Sequence, residues 1–476
     1  MTETTSKNGN GALATHRAEP SEADVVRIVE SLRVTFRSGR TRSAHWRADQ
    51  LHRLADLMVD NETEIIEALS ADLGRAPFES WLTDIAGTVA EARYAAKHVK
   101  RWMRRDRRML ELPQLPGRGW VEYEPYGTVL IIGTWNLPYL LTLGPAIGAI
   151  SAGNTVLIKP SEFAPRTSRL LADLVPRYLD HDAIAVVEGA RSTSELLLKQ
   201  EFDRILFTGG AETGRKILAA AAQHLTPVTL ELGGKSPVIL ADDCDVDVAA
   251  SRVAWTKLIN SGQVCVAPDY VLAHRDVTER FVDRLCDAWV RQRVNQPKGM
   301  RVLNADHLER LSEYLIETRG EVAFGGGLDR SSLTVEPTVV LDPSPSEPLM
   351  TEEIFGPILP VVTVDSVDDA IDFVNSRPKP LAAYLFSRSR AVRNRVVSEV
   401  SAGGMLINHV AFQASTTRLP FGGVGNSGMG AYHGQWGFKE FSHSKTVLTK
   451  PTRPDLSKML YPPYSDNAWK LARKLF

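Results

Sequence analysis

From Ser21 onward, apolar and polar positions alternate with a helical period through Val25–Phe36, Ala44–Asp60, Glu62–Leu73 and Ile85–Arg105. Ser21 stands where a helix N-cap is expected, so helices open the molecule. The period then changes. Short β-branched runs at Thr128–Ile132, Thr155–Lys159, Ile184–Glu188 and Arg204–Thr208 are separated by helical stretches over Tyr139–Ala152, Pro165–Tyr178, Ser192–Gln200 and Glu212–Gln223. That alternation predicts βαβ units and a parallel, mostly buried sheet. Beyond Gly233-Gly234, helix-like Val246–Leu258 and Val277–Gln292 accompany strand-like Tyr270–Ala273, Ile358–Val364, Ala383–Phe386 and Gly404–Asn408, which predicts a second α/β domain. Trp120–Pro125 alternates as an excursion strand would, and Tyr432–Lys450 reads as a late hairpin or arm. No repeat of fixed period is present.

At 476 residues the chain exceeds one compact core, and roughly two to three domains are expected. A net charge of −1 argues against a protein built as a whole around nucleic acid or an anionic membrane. The three cysteines, Cys244, Cys265 and Cys286, form no Cys-x-x-Cys pair, so neither a disulfide framework nor a zinc ribbon is indicated, and no metal is expected. A reducing, cytoplasmic setting fits best. The first twenty residues are polar, lack the apolar core of a signal peptide and read as a disordered tail. No run approaches the roughly 18 apolar residues of a membrane span.

Candidate chemistry concentrates between Leu230 and Cys265, where an acid and a thiol are framed by glycines in Glu231-Leu-Gly-Gly-Lys-Ser-Pro237 and Gly262-Gln-Val-Cys265. Cysteine is the strongest nucleophile available near neutral pH, and a covalent intermediate on it needs a base for the second half-reaction. Cys244 lies among the carboxylates of Asp242-Asp-Cys-Asp-Val-Asp247, which disfavour a thiolate, and Cys286 lies in a helix-like stretch where packing is the plainer role. Strand alternation puts Val228, Leu230 and Leu232 on one face and Thr229 with Glu231 on the other. A carboxylate at such an apolar strand end is expected to have a raised pKa, suited to a base near neutrality. Asn136 follows the first strand, where open α/β sheets place ligands, although an asparagine turning the chain before Pro138 is the plainer alternative.

Five separated motifs, in order, resemble those of the NAD(P)-dependent aldehyde dehydrogenase superfamily: Gly133-Thr-Trp-Asn-Leu-Pro138, Lys159-Pro-Ser-Glu162, Phe207-Thr-Gly-Gly-Ala-Glu-Thr-Gly214, Glu231-Leu-Gly-Gly-Lys-Ser-Pro237 and Glu352-Glu-Ile-Phe-Gly-Pro357. The stretch Leu419–Gly434 is similar to the class 3 and fatty-aldehyde branch. The resemblance covers about Ser21 to Pro463. It implies an α/β aldehyde dehydrogenase fold: a tail over 1–20, and an NAD-binding parallel-sheet domain over 21–231 interrupted by a bridging excursion near 106–127. A catalytic α/β domain over 232–431 and a C-terminal bridging arm and tail over 432–476 complete it, the arm being a small β oligomerisation element.

The same resemblance implies the chemistry. Cys265 attacks an aldehyde, the Asn136 amide with the Cys265 backbone N–H holds the oxyanion, and Glu231 activates the water that releases the acid. NAD is the implied cofactor, with NADP possible in this branch. Lys159 and Glu162 match the pair that contacts the adenosine ribose, and Glu353 and Phe355 match residues that hold the nicotinamide end. Trp135, Thr208, Gly209, Gly210, Gly214, Leu232 and Gly233 complete the implied cofactor set, with the turn Gly209–Gly214 offering backbone N–H groups to the diphosphate. A small-molecule aldehyde, aromatic or medium-chain aliphatic, is favoured by an expected apolar lining of Tyr139, Val264, Val266, Val410 and Phe412. The resemblance implies a homodimer, no nucleic-acid partner is expected, and because the tail anchor of fatty-aldehyde relatives is missing, a soluble enzyme without a membrane span is expected.

Some features depart from the family or compete with that reading. Many superfamily members carry serine where Gly210 stands, and His409 departs from residues that often follow the equivalent asparagine. The formal G-x-G-x-x-G at Gly423–Gly428 opens no βαβ unit and reads as a glycine-rich turn near the substrate entrance. Seven Lys or Arg in the twelve residues Lys97–Arg108 suggest a phosphate-rich partner less readily than a solvated helix end. A CoA-acylating dehydrogenase and a non-catalytic NAD-binding protein are the competing classes. Glu231 argues against the first and the joint presence of Cys265, Glu231 and Asn136 against the second.

Overall fold

The computed structural model describes residues 19–293 and 300–475, so most of the expected N-terminal tail lies outside the described residues. Ser21 caps the helix Glu22–Arg37 through a capping box with Asp24, as the polar–apolar pattern predicts. Val25, Val29 and Leu32 of that helix bury against one face of a six-stranded sheet. Its order is Gly428–Met429, Val228–Leu232, Arg204–Gly209, Thr128–Ile132, Thr155–Lys159 and Ile184–Val186, all parallel except the first. Thr128–Ile132 and Thr155–Lys159 are buried at every position, which is why they read as continuous apolar runs.

A second, seven-stranded sheet has the order Glu321–Phe324, Thr338–Leu341, Ile358–Val364, Tyr270–His274, Pro237–Leu240, Ala382–Phe386 and Gly404–Ile407. It too is parallel except at its first strand. A third, antiparallel sheet joins Asp106–Arg108, Arg118–Pro125 and Ser442–Thr449. The excursion strand and the C-terminal segment thus pair with each other. The expected late hairpin is instead a short helix, Gly434–Glu440, followed by one strand, because the strand's partner is remote in sequence. Among the described residues no helix is long and apolar enough to cross a membrane.

The pattern over Ile85–Arg105 predicts one helix; the structure has a π-helical turn, Trp81–Ala86, leading into Gly87–Trp102. Such a turn adds a residue and rotates the helix face. Here it buries Asp84, whose carboxylate pairs with Arg75 at 2.7 Å and accepts the N–H groups of Tyr139 and Leu140 at 2.8 and 3.0 Å. Asp84 therefore caps the helix Leu140–Ala152, which has no cap of its own. Removing one partner of a buried pair strands the other charge, so Asp84→Ala is expected to cost about 3–5 kcal/mol in thermal or urea unfolding.

The basic stretch Lys97–Arg108 runs off the helix Gly87–Trp102, with Arg105 reaching Glu122 at 3.5 Å and lying over the Trp120 ring, and Arg108 bonded to Asp106. Three segments the pattern did not single out also appear: the helices Ala305–Glu317, Val367–Asn375 and Arg390–Glu399.

Candidate active site

The C-terminal ends of the parallel strands in the first sheet, where open α/β sheets bind ligands, border a cavity of about 330 Å³. Asn136, Glu231 and Cys265 all line it. Asn136 follows the strand Thr128–Ile132 and is buried; its side-chain N–H donates to the Gln263 carbonyl at 3.0 Å. Cys265 lies three residues past the turn Ile259–Gly262, in which Asn260, Ser261 and Gly262 have φ of 47°, 58° and 74°. The turn forces close backbone approach: a Cβ on Gly262 would meet the Gly356 carbonyl oxygen at 2.3 Å.

Glu231 is the penultimate residue of the strand Val228–Leu232. Leu230 and Leu232 face the core as alternation predicts, while the two Glu231 oxygens are buried without a hydrogen-bond partner. On the same face Thr229 donates to Glu440 at 2.7 Å. The glycine-rich turn 423–428 brings Gly428 opposite Glu231 in an antiparallel bridge. A Cβ on Gly428, at φ 145°, would strike the Leu230 carbonyl oxygen at 2.2 Å. The apparent dinucleotide signature is therefore a spacer that closes one side of the Glu231 strand.

Electrostatics follow from burial. Burial, then Glu353 and Glu231, pushes the Cys265 thiol up to about 12. Burial and Glu440 raise the Glu231 carboxyl well above the usual range, and burial with Asp269 raises Glu353 to about 8. Cys244 and Cys286 are also pushed up to about 11, first by burial and then by flanking aspartates. The thiols thus differ by place rather than by acidity, and of the three only Cys265 lines the cavity, alongside the buried Glu231 carboxyl.

Trp135, Thr208, Gly209, Gly210, Leu232, Gly233, Glu353 and Phe355 line the same cavity. Trp135 meets Phe355 edge-on at 5.5 Å, and the Thr208 hydroxyl is buried with no partner. Gly210 precedes the helix Ala211–Ala221, and a Cβ there would have nothing within 4 Å. A Cβ on Gly233 would lie 2.0 Å from a Glu353 side-chain oxygen, so glycine there leaves room for that carboxylate. An open helix N-terminus, an orphaned hydroxyl and a glycine wall fit a nicotinamide dinucleotide.

Three residues of the implied cofactor set do not line this cavity. Gly214 lets the helix Ala211–Ala221 seat on its strand, a Cβ there meeting Leu232 at 2.9 Å. Lys159 and Glu162 pair with each other at 2.7 Å at the end of Thr155–Lys159, with the lysine buried and Glu162 part-exposed. Conversely, His307, Arg310 and Tyr314 line the cavity and were missed. Their spacing, three and four residues apart on the helix Ala305–Glu317, is the signal that could have found them. Burial lowers the His307 pKa, and its ring meets Trp135 edge-on at 5.6 Å.

The expected apolar lining is corrected. Tyr139 is buried in the core beneath the first sheet, and Val266 and Val410 in the core of the second. Val264 is part-buried and packs with Cys265 against one of those cores. Phe412 is 52% exposed and packs on His409 with ring centroids 4.2 Å apart. His409 accepts the Val410 N–H on Nδ1 at 2.9 Å, which accounts for it as a turn-forming side chain. The apolar wall of the cavity is instead Leu141, Leu381 and Phe421.

The sequence profile described as the aldehyde dehydrogenase family matches residues 3–447. The chain is 42% identical over 460 residues to aldehyde dehydrogenase family 3 member H1 of Arabidopsis thaliana, covering 95% of each chain. It is 44% identical over 442 residues to family 3 member B1 of Mus musculus, covering 92% of this chain and 94% of the relative. Among solved structures it resembles the substrate-bound AldH of Staphylococcus aureus, with a TM-score of 0.91, 38% identity and coverage of 95% and 99%. An indole-3-acetaldehyde dehydrogenase complexed with NAD+ matches with a TM-score of 0.84 and 26% identity, covering 91% of this chain and 90% of that one. The motifs, the fold and these relationships agree: the chain belongs to the aldehyde dehydrogenase family, the NAD(P)-dependent oxidoreductases of aldehydes.

Proposed function

We propose that the enzyme oxidises aromatic or medium-chain aliphatic aldehydes to carboxylic acids through a cysteine-bound thioester hydrolysed by water. The observation that carries this reading is the convergence of Cys265, Glu231 and Asn136 on one cavity. Cys265 Sγ, once deprotonated, bonds to the aldehyde carbon, and the oxyanion is held by the Asn136 amide and the Cys265 backbone N–H. NAD(P)+, when bound, supplies the acceptor for the hydride that leaves that carbon. The thioester left on Cys265 is attacked by a water whose proton passes to Glu231. The carbon–sulfur bond breaks and the acid departs. Trp135, Thr208, Gly210, Glu353 and Phe355 are proposed to hold the nicotinamide and diphosphate, with Lys159 and Glu162 on the adenosine ribose.

The apolar wall of Leu141, Leu381 and Phe421 favours apolar aldehydes over charged semialdehydes. In the same reading the NAD-binding domain spans 21–231 and the catalytic domain 232–431. The three-stranded sheet serves as the arm of a cytoplasmic homodimer. Reduced-cofactor absorbance with benzaldehyde, hexanal and succinic semialdehyde, each with NAD and NADP, tests this. Turnover of the first two with free acid as product, and no acyl-CoA when CoA is added, is expected. Faster turnover of succinic semialdehyde, or acyl-CoA as product, would sink it.

Gly210→Ser has room for its side chain at the helix N-terminus. One added hydroxyl contact is expected to tighten NAD by about 0.5–1.5 kcal/mol in a fluorescence titration, with the melting temperature unchanged.

A further inference from the structure

Two non-glycine residues in succession, Asn260 and Ser261, occupy the left-handed region just before Cys265. Asparagine adopts that region more readily than most L-residues, but two non-glycine residues in a row there need surroundings that hold them. In this state the Asn260 side chain donates to the Asn136 carbonyl at 3.0 Å and to the Gln263 carbonyl at 3.2 Å. The Asn136 side chain donates to that same Gln263 carbonyl. Asn260 therefore ties the turn that carries the nucleophile to the amide that faces the oxyanion.

What holds Asn260 is remote in sequence. Its backbone N–H donates to Glu79 Oε1 at 2.6 Å, across 181 positions. Glu79 lies on the single turn Pro77–Ser80, directly before the π-helical turn, and π turns recur at functional sites. This segment is itself fixed: Arg75 donates to Thr83 Oγ1 and to Asp84 at 2.7 Å each, and Thr83 donates to the Glu79 carbonyl at 2.8 Å. Through Asp84 it also fixes the start of the helix after Asn136. One segment thus braces both turns.

We propose that Glu79 is a positioning residue for the aldehyde chemistry: its carboxylate clamps Asn260 in the left-handed conformation that aims the Asn136 amide and the Cys265 turn at one point. The proposal rests on the roles given above to Cys265 and Asn136. Glu79 does not line the cavity, so it acts through Asn260. The charged groups facing it are Arg75 and Asp84, and burial holds its carboxyl above the ordinary range. The clamp needs an acceptor oxygen at the right reach, not a charge.

Reach and charge separate in two variants of the full-length enzyme. Glu79→Gln keeps the reach and loses the charge; Glu79→Asp keeps the charge and loses the reach. The measurements are the first-turnover rate of reduced-cofactor formation with benzaldehyde, the Kd of NAD, and hydrogen exchange of the peptide spanning Asn260–Cys265. Misplacement of reacting groups by about 1 Å costs up to about 10²-fold in rate. Glu79→Asp is therefore expected to slow the first turnover by about 10-fold or more, to lose protection over Asn260–Cys265 and to keep the wild-type Kd. Glu79→Gln is expected to stay within about twofold of wild type in all three. Glu79→Asp at wild-type rate, or Glu79→Gln as slow as Glu79→Asp, would overturn the proposal. If wild type reduces no cofactor with any aldehyde, the functional reading fails instead, and the exchange pattern alone decides the clamp.

Discussion

Cys265→Ala is expected to lower aldehyde oxidation by at least about 10³-fold, equivalent to about 4 kcal/mol of transition-state stabilisation, and to leave NAD binding intact. No other group can substitute: Cys244 is buried in the second core and Cys286 lies on the helix Arg275–Gln292, neither lining the cavity. The loss should appear in the first turnover as well as in the steady state, because the thiol acts before any product forms. Burial and two carboxylates keep Cys265 protonated, so the first-turnover rate of wild type should climb with pH across about pH 6 to 9. A first turnover that survives Cys265→Ala would remove the thiol from the mechanism.

Glu231→Gln should separate the two halves of the reaction. One equivalent of reduced cofactor is expected per active site, followed by a steady state slower by about 10²–10⁴-fold, the range for losing a positioned base. Loss of the burst together with the steady state would make Glu231 the base for Cys265 instead of for the water. The same variant carries a stability prediction. The folded carboxyl is raised by burial and by Glu440, so the native state binds the proton more tightly than the unfolded chain. That contribution is fully present below the unfolded value of 4.5 and is lost as pH rises through the folded value. Removing the titration should therefore make the melting temperature of Glu231→Gln fall less than that of wild type as pH is raised above 4.5.

The legible and illegible parts of the site differ in kind. Glu231, Cys265 and Asn136 stand in local patterns, a strand end beside glycines and a turn after a strand, so their residue types and neighbours reveal them. The His307 face shows only once the helix Ala305–Glu317 is placed, because a spacing of three and four residues shares a face only on a helix. Lys159 and Glu162 match a cofactor motif, and their side chains pair with each other, the usual reading of a lysine and a glutamate three positions apart. The expected pocket lining failed for a related reason. Val266 and Val410 are apolar neighbours of site residues, but whether an apolar side chain faces a cavity or a core depends on what the other sheet brings against it.

By itself the sequence determined the alternation of strand and helix, the parallel first sheet and the residue types proposed to carry the chemistry. All of these are set by side-chain periodicity and backbone preference over a few neighbouring positions. Tertiary structure decided the rest. The antiparallel strand Gly428–Met429 lies against Glu231, and Ser442–Thr449 against Arg118–Pro125, pairings between segments 197 or more positions apart at Gly428↔Glu231 and more than 300 apart at Ser442↔Pro125. The raised carboxyls of Glu231 and Glu353 depend on desolvation by the whole fold. The hold of Glu79 on Asn260 joins one turn to another 181 positions away. Burial and long-range hydrogen bonding act through space, and no stretch of chain encodes them alone.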